Sequence, residues 1–464
     1  MRGIVKIYAG AAFDQMGSYG PVIMGDTKPI DALVKTITTA MRAPGNNADP
    51  ALVANTAKLR QLILDPFLRL APGKKKLIIS LDGELLLAPI PMLPDSQGKF
   101  ITEQYEVSFF ESYRQLTNLS SYRSNLTPKT SLLLGDPVYF SEDLKKQLGE
   151  KANRRYLSPL PGTQKEVNQV TSVLQRQKKT PLTLLGVGAT ETAFRQGMTV
   201  PQEFIHIATH GGYSQSKGDM NPSERARLTF SYAEDTLHKK GSNIADSSPN
   251  DGIFQAKDIM SYDLSRTRLV MLSACDTGLG ESVQGDIVQG FRGAFFMAGT
   301  PQVMITMSPV NDGIAPILMN LFYSNTHLTN SDVTAWTASM RALLQNEAFK
   351  DKSLAIKLLG PFYFVTHRPA HAKYWPVAPV RGFINWRRPF PTTATYVAGL
   401  HEDPQVGLYL TPSFLQRLKM VDSSQFGIIP TSAVGHQVVT QGKVSFVKIK
   451  TAYQAFIFTL EIIS

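Results

Sequence analysis

Two short apolar segments each end in a residue that could do chemistry. Residues 204–209 (FIHIAT) precede His210, and residues 269–274 (LVMLSA) precede Cys275, the only cysteine among 464 residues. A short apolar run bounded by glycine is typical of a strand in a parallel sheet that is covered on both faces. Ligands bind beyond the carboxyl ends of such strands, so we expect His210 and Cys275 to share one site.

A cysteine beside a histidine is the arrangement of a nucleophile with its general base. A free thiol has a pKa of about 8.5, and a nearby imidazole or helix N-terminus makes it a good nucleophile. The alternative is a buried structural cysteine, which is a common environment for a free thiol. The residues alone leave both interpretations of Cys275 open.

The two histidines of the first segment are expected to differ. His206 lies inside the apolar run, where a structural role is favoured. His210 is followed by Gly211 and Gly212, and glycines let a substrate backbone approach closely and leave amides available as donors. His210 is therefore the candidate base.

The composition limits the classes of function. Hydrophobic residues make up 43% and charged residues 18%, so the chain can bury a sizeable core. The net charge of +11 is spread along the chain, and its densest runs, at 74–76 and 387–388, have no interleaved aromatic residues. We therefore expect solvated surface rather than a nucleic-acid ligand.

The single cysteine and the hydropathy pattern limit the expected cofactors and the expected cellular location. One cysteine excludes an internal disulfide framework and argues against a thiolate zinc site, and we predict no metal or cofactor. No run approaches the roughly 20 apolar residues of a membrane helix, and residues 1–20 lack the apolar core of a signal peptide. A cytoplasmic protein without a membrane partner is expected.

The elements around these segments alternate between strand and helix. Alternation of this kind predicts βαβ units and a largely parallel sheet. The predicted strands are 77–81, 105–110, 131–134, 204–209, 228–232, 269–274 and 302–307. The predicted helices are 31–41, 51–70, 162–177, 284–298, 313–323 and 333–344. After residue 382 the pattern changes to strand-like segments at 406–410, 437–440 and 443–449.

A series of short motifs accompanies the two strand ends. His-Gly after one strand and Ser-Ala-Cys-Asp-Thr-Gly after another resemble the CHAT family of caspase-like peptidases, which are related to caspases, separase and gingipains. Further motifs that resemble the family follow in its order at 77–91, 134–137 (LGDP), 160–163 (LPGT) with Glu166, 185–190, 252–263, 285–299 and 371–382. Each motif alone is weak, but the ordered set is specific.

The resemblance implies a fold and a division of the chain. The fold is a caspase-like three-layer α/β/α sandwich with a mostly parallel central sheet, followed by a β-rich or irregular C-terminal extension. The peptidase domain would span 29–382, with a helical lead-in at 29–70. Residues 1–28 stay unassigned, and the role of 383–464 is unknown.

The resemblance also implies peptide-bond hydrolysis. Cys275 would attack the scissile carbonyl, and His210 would act as base and then protonate the leaving amine. The backbone amides of Gly211 and Cys275 would form the oxyanion hole. The substrate would be a specific protein or peptide in a signalling or defence pathway, under control of a TPR-type or other sensor protein. The alternative is an inert caspase-like scaffold, which would not need the intact pair.

Three further residues are candidates for substrate binding. The family usually has SLWPVDD where this chain has residues 306–312 (TMSPVND), so Met307 is the bulky residue nearest the expected tryptophan. Asp312 would either cap the helix that starts at Gly313 or select a basic substrate side chain. Asp276 follows the nucleophile, where a role in a turn or at a helix start is favoured over orienting His210.

Overall fold

A computed structural model describes most of the chain. The described residues are 4–14, 17–45, 47–70, 72–110, 128–149, 157–213, 222–240, 250–274, 281–282, 288–329, 331–366, 426–430, 436–440, 443–450 and 456–463.

Nineteen strands lie within those residues. In chain order they are β1 (Ile4–Asp14), β2 (Gly17–Asp26), β3 (Lys76–Ile79), β4 (Glu106–Phe109), β5 (Thr130–Pro137), β6 (Thr180–Gly186), β7 (Phe204–Ala208), β8 (Gly211–Tyr213), β9 (Ala226–Thr229), β10 (Ile253–Gln255), β11 (Leu269–Ser273), β12 (Glu281–Ser282), β13 (Val288–Gln289), β14 (Gln302–Thr306), β15 (Phe362–Thr366), β16 (Phe426–Pro430), β17 (His436–Thr440), β18 (Lys443–Lys450) and β19 (Phe456–Ile463).

The α-helices of the described residues cover the sheet and connect its strands. They are α1 (Thr27–Arg42), α2 (Pro50–Ile63), α3 (Asp65–Leu70), α4 (Ile101–Gln104), α5 (Glu142–Leu148), α6 (Pro161–Arg176), α7 (Glu191–Met198), α8 (Pro222–Arg225), α9 (Ala233–Lys240), α10 (Ala256–Ile259), α11 (Phe291–Met297), α12 (Ala315–Asn325), α13 (Asp332–Leu344) and α14 (Lys352–Leu359). The helix predicted at 51–70 is in fact two helices, because Pro66 lacks the N–H that would continue the first.

The central sheet has eight strands in the order β3-β4-β15-β14-β11-β7-β5-β6. Neighbouring strands are parallel except β14 and β15. Every residue of β7 and β11 is buried, as expected for inner strands that are covered on both faces. The predicted mostly parallel sheet is confirmed.

Helices pack on both faces of this sheet. Leu132 and Gly135 of β5 point to opposite faces, since they are three residues apart in a strand. Gly197 of α7 packs against Leu132, and Val167 of α6 packs against Gly135. This places α6 on one face and α7 on the other, which confirms the predicted three-layer α/β/α sandwich.

Smaller sheets lie beside the sandwich. Strands β8, β9 and β10 form an antiparallel sheet in the order β10-β9-β8 directly after the carboxyl end of β7. Strands β16 to β19 form one antiparallel sheet with β1 and β2. The β-rich C-terminal extension is thereby confirmed, whereas the strand predicted at 406–410 lies outside the described residues. No helix in the described part of the chain is long and apolar enough to span a membrane.

Candidate active site

The site lies at the carboxyl ends of β7 and β11, which are adjacent and parallel. Ala208 of β7 pairs with Ser273 of β11, and His210 lies two residues after Ala208. Cys275 follows two residues after Ser273, but Cys275 and Asp276 both lie outside the described residues. The Thr306 hydroxyl donates to the carbonyl of Ala274, which fixes the chain just before the cysteine against β14.

The imidazole of His210 has one nitrogen engaged by the backbone. Its Nε2 lies 2.6 Å from the carbonyl oxygen of Ser158. A carbonyl oxygen can only accept, so Nε2 must carry the proton of the neutral ring. Nδ1 is then the nitrogen with the free lone pair, as a general base requires.

The surroundings of His210 favour its neutral form. Burial lowers the pKa of His210 below its ordinary value, and this effect exceeds the opposing influence of the Ser158 carbonyl, Asp312 and Glu234. The ring is therefore an available base at neutral pH.

Tyr139 packs against the imidazole from the side of β5. The two ring centres are 5.3 Å apart. The Thr209 hydroxyl donates to the carbonyl of Thr229 at 2.5 Å, so the Tyr139 hydroxyl, 3.0 Å away, must donate to Thr209. Burial raises the pKa of Tyr139 to about 12, which keeps this donor protonated.

The amide of Gly211 is directed away from its own sheet. Thr229 donates its N–H to the carbonyl of His210 at 3.1 Å, and Gly211 pairs with Leu228. In an antiparallel ladder this bond makes Gly211 and Leu228 a non-hydrogen-bonded pair. The N–H of Gly211 therefore points to the outer side of β8, the edge strand of the small sheet, where an oxyanion donor would be available.

Asp312 is held by a helix distant in sequence. Its Oδ2 accepts from the N–H of Gly162 in the first turn of α6 at 2.7 Å. A Cβ on Gly162 would lie 2.0 Å from the carbonyl oxygen of Asp312, so only glycine fits there. Asn311 rather than Asp312 closes the turn before the following helix, since its Oδ1 accepts from the N–H groups of Gly313 and Ile314 at 2.9 and 3.1 Å. That helix has Ile314 at its N-cap, without a side-chain cap bond.

A second carboxylate, Asp136, lies near Asp312. Burial and the charge of Asp312 both raise the pKa of Asp136, which shows that the two groups share one electronegative region. The N–H of Asp136 donates to the Thr163 hydroxyl at 2.8 Å, and Gln164 donates to its Oδ2 at 3.0 Å. Sequence reasoning missed this residue, although its place after β5 in the LGDP motif was a usable signal.

Met307 lies immediately after β14 and is only 4% exposed. Its N–H donates to the carbonyl of Pro361 at 2.9 Å, and its own carbonyl accepts from Arg42 at 3.3 Å. The side chain packs in the core beneath the strand end. Its predicted contact with substrate stays a prediction.

No metal site is evident in this region. Within the described residues, no three His, Cys, Asp or Glu side chains lie together as ligands for an ion. What the arrangement offers is an oriented imidazole, a directed amide and two carboxylates.

The sequence of this chain is similar to a known family and to a human protein. The family model of the CHAT domain matches residues 54–383. Human tetratricopeptide repeat protein 28 is 23% identical over 301 residues, a match that covers 60% of this chain and 12% of that protein. The chain thus spans about an eighth of that relative's length.

Two solved structures resemble the fold. One is the Arg-specific cysteine proteinase gingipain R, with 11% identity, 73% of each chain covered and a TM-score of 0.39. The other is the complex of Porphyromonas gingivalis RgpB pro- and mature domains, with 11% identity, 74% and 76% covered and a TM-score of 0.42. With the CHAT match extending over well more than half of its length, the chain belongs to the CHAT domain family.

Proposed function

We propose that this protein is a caspase-like cysteine endopeptidase with Cys275 as nucleophile and His210 as base. The observation that carries the proposal is the engagement of His210 Nε2 by the Ser158 carbonyl, which leaves Nδ1 as the basic nitrogen. The pairing of Ala208 with Ser273 supports it, because it brings the two strand ends to the same edge of the sheet. Membership in the CHAT family supports the chemistry.

The proposed reaction uses groups of this chain and one water molecule. The Cys275 thiol gives its proton to His210 Nδ1, and the thiolate attacks the scissile carbonyl carbon. The amides of Gly211 and Cys275 stabilise the oxyanion, and the imidazolium then protonates the leaving amine. His210 next deprotonates a water that hydrolyses the thioester and frees the thiol.

The proposed substrate is a protein with a basic residue on the amino side of the cleaved bond. Asp312 and Asp136 support this choice, because Asp312 acts on the imidazole, Asp136 lies near Asp312, and the two charges together would attract a cationic side chain. Asp276 and Met307 are the other substrate-contacting residues of the proposal.

The proposal also includes a regulator and a location. A TPR-type or other sensor protein would control cleavage, and its support is the similarity to a human protein named for tetratricopeptide repeats. A cytoplasmic location is supported by the lone cysteine, since a free thiol persists in a reducing compartment.

A peptide-library digest tests the proposal. The wild-type protein is expected to cleave after Arg or Lys, and Cys275→Ala to lose at least about a thousandfold in kcat/KM. Equal cleavage by both proteins would reject the peptidase assignment. A preference for Asp or uncharged residues would reject the proposed role of Asp312 while leaving the dyad intact.

A further inference from the structure

A pair of titratable side chains is buried beneath the candidate site and takes no part in the proposed reaction. His206 Nε2 lies 2.9 Å from Glu166 Oε1, with side chains 0% and 1% exposed. On the other side of the ring, Nδ1 lies 3.2 Å from the hydroxyl of Tyr323, a residue whose pKa burial raises well above its ordinary value. The ring therefore has one hydrogen-bond partner, Tyr323 of α12, while its other nitrogen lies at ion-pair distance from Glu166 of α6 without hydrogen-bond geometry.

The pair joins the two elements that meet at His210. His206 and His210 belong to one run of chain through β7, four residues apart. Glu166 lies one turn after Gly162 on the same face of α6, since residues four apart in a helix are neighbours. Ser158, whose carbonyl engages His210, lies three residues before α6 begins.

The segment that carries Ser158 is short and held on both sides. Before it, the N–H of Leu157 donates to Glu234 of α9. After it, α6 is tied to Asp312 through Gly162 and contacts β7 through Glu166 and His206. A shift or rotation of α6 on the sheet would move the Ser158 carbonyl relative to the imidazole.

Stability alone does not explain a buried pair of this kind. Replacing a buried ion pair with apolar residues of similar volume is often neutral or stabilising, and the best-attested use of such groups is to specify one arrangement of elements. We propose that Glu166 and His206 are positioning residues that fix α6 on β7 so that the Ser158 carbonyl orients His210. This role rests on the proposed function of His210.

The test compares wild type with the double variant Glu166→Leu/His206→Phe, which keeps volume and removes both polar groups. The readouts are kcat and KM on a basic peptide, thermal unfolding, and the pH titration of His210 followed by NMR of ¹⁵N-histidine. The expected result is a folded protein with kcat reduced at least tenfold, KM within about twofold, and a His210 titration moved to lower pH. A small displacement of the imidazole can lower kcat at least tenfold. The contact with the Ser158 carbonyl raises the pKa of His210, so its loss should lower that pKa.

Other charged groups near His210 are unchanged in that variant. They are Asp312 after β14 and Glu234 on α9, so a shift would report the Ser158 contact. Val173→Ala is the matched control on α6, where a buried apolar side chain is shortened. It is expected to lower the unfolding temperature without moving the His210 titration.

A folded double variant with wild-type kcat and an unchanged titration would overturn the positioning role. So would a Val173→Ala variant that shifts His210 as far as the double variant does. If the double variant does not fold, Glu166→Met removes the contact with one substitution and carries the same expectation. The NMR titration of His210 does not depend on any cleavage. Failure of the peptidase proposal would therefore show as missing cleavage by the wild-type protein, and failure of this inference as an unchanged titration in the double variant.

Discussion

At the scale of single residues, the proposed chemistry depends on His210. Its two ring nitrogens are distinguished by one contact, because the Ser158 carbonyl can only accept from Nε2. Burial then holds the ring neutral by lowering its pKa. A base that is neutral, oriented and open at Nδ1 is what a thiol nucleophile needs.

The proposed cleavage should have a pH dependence that follows from this environment. The base works only when neutral, so activity falls as pH drops through the pKa of His210. Because burial lowers that pKa, the acid limb of kcat/KM is expected below the ordinary histidine value of about 6.5. A pH profile on a basic peptide measures it, and an acid limb above that value would contradict the account.

The role of Asp312 can be separated from its structural contact. Asp312→Asn removes the charge but keeps an oxygen that can accept from Gly162, so α6 should stay in place. We expect kcat/KM to fall at least about tenfold on Arg and Lys peptides and to change little on uncharged ones.

Asp143→Asn is the matched control for that variant, since it changes the net charge equally at an exposed position on α5. An Asp312→Asn protein with undiminished preference for basic peptides would reject the proposed role of Asp312 in substrate selection.

At the scale of elements, the start of α6 joins several parts of the site. Gly162 meets Asp312, Thr163 accepts from the N–H of Asp136, and Gly135 allows α6 to approach β5. An added Cβ on Gly135 would lie 2.7 Å from the side chain of Val167. The LGDP and LPGT motifs are therefore in contact with each other where α6 begins, near His210.

The close packing at the start of α6 makes Gly162→Ala a direct test of the contact between this helix and Asp312. The new Cβ would meet the backbone of Asp312 at 2.0 Å, a contact that no side-chain rotation relieves. We expect a loss of at least about 2 kcal/mol in the free energy of unfolding, together with reduced cleavage. Chemical denaturation measures the loss of stability, and Gly212→Ala is the control for that measurement alone, because a Cβ there would have its nearest neighbour at 3.8 Å.

Contacts between elements could be predicted from the sequence only where local patterns encode them. Strands β7 and β11 and the approach of their carboxyl ends follow from local apolar patterning and the rules of parallel sheets. The bond between Gly162 and Asp312 joins positions 150 residues apart, and no local pattern encodes it. The contact of Ser158 escaped prediction for a different reason, since a backbone carbonyl has no signature in the sequence.

At the scale of the whole molecule, the two ends of the central sheet carry different groups of residues. The carboxyl ends carry the candidate site, while the amino ends are tied by a charged cluster around Arg268. Arg268 pairs with Glu203 at 3.3 Å and Asp332 at 2.6 Å, and Gln302 donates to Asp332 at 2.7 Å. This cluster joins the starts of β7, β11, β14 and α13.

Loss of the cation in that cluster should affect stability rather than chemistry. Arg268→Met would leave the buried carboxylate of Asp332 without its cation, while Glu203 keeps Lys179 at 2.5 Å, and we expect a cost of about 3 kcal/mol. Arg266→Met, an exposed position two residues earlier, is the control and should cost little. Equal unfolding free energies for the two variants would contradict this view of the cluster.

The central claim is that His210 activates Cys275, and covalent trapping tests it most directly. A peptidyl chloromethyl ketone with Arg next to the reactive group should add once to the wild-type protein, at Cys275, the only cysteine in the chain. Intact-mass and peptide-mass spectrometry would follow the rate, with iodoacetamide as a measure of simple thiol access. The account predicts that His210→Ala slows the peptidyl reagent at least about a hundredfold. Equal labelling of both proteins, or no adduct on Cys275, would contradict it.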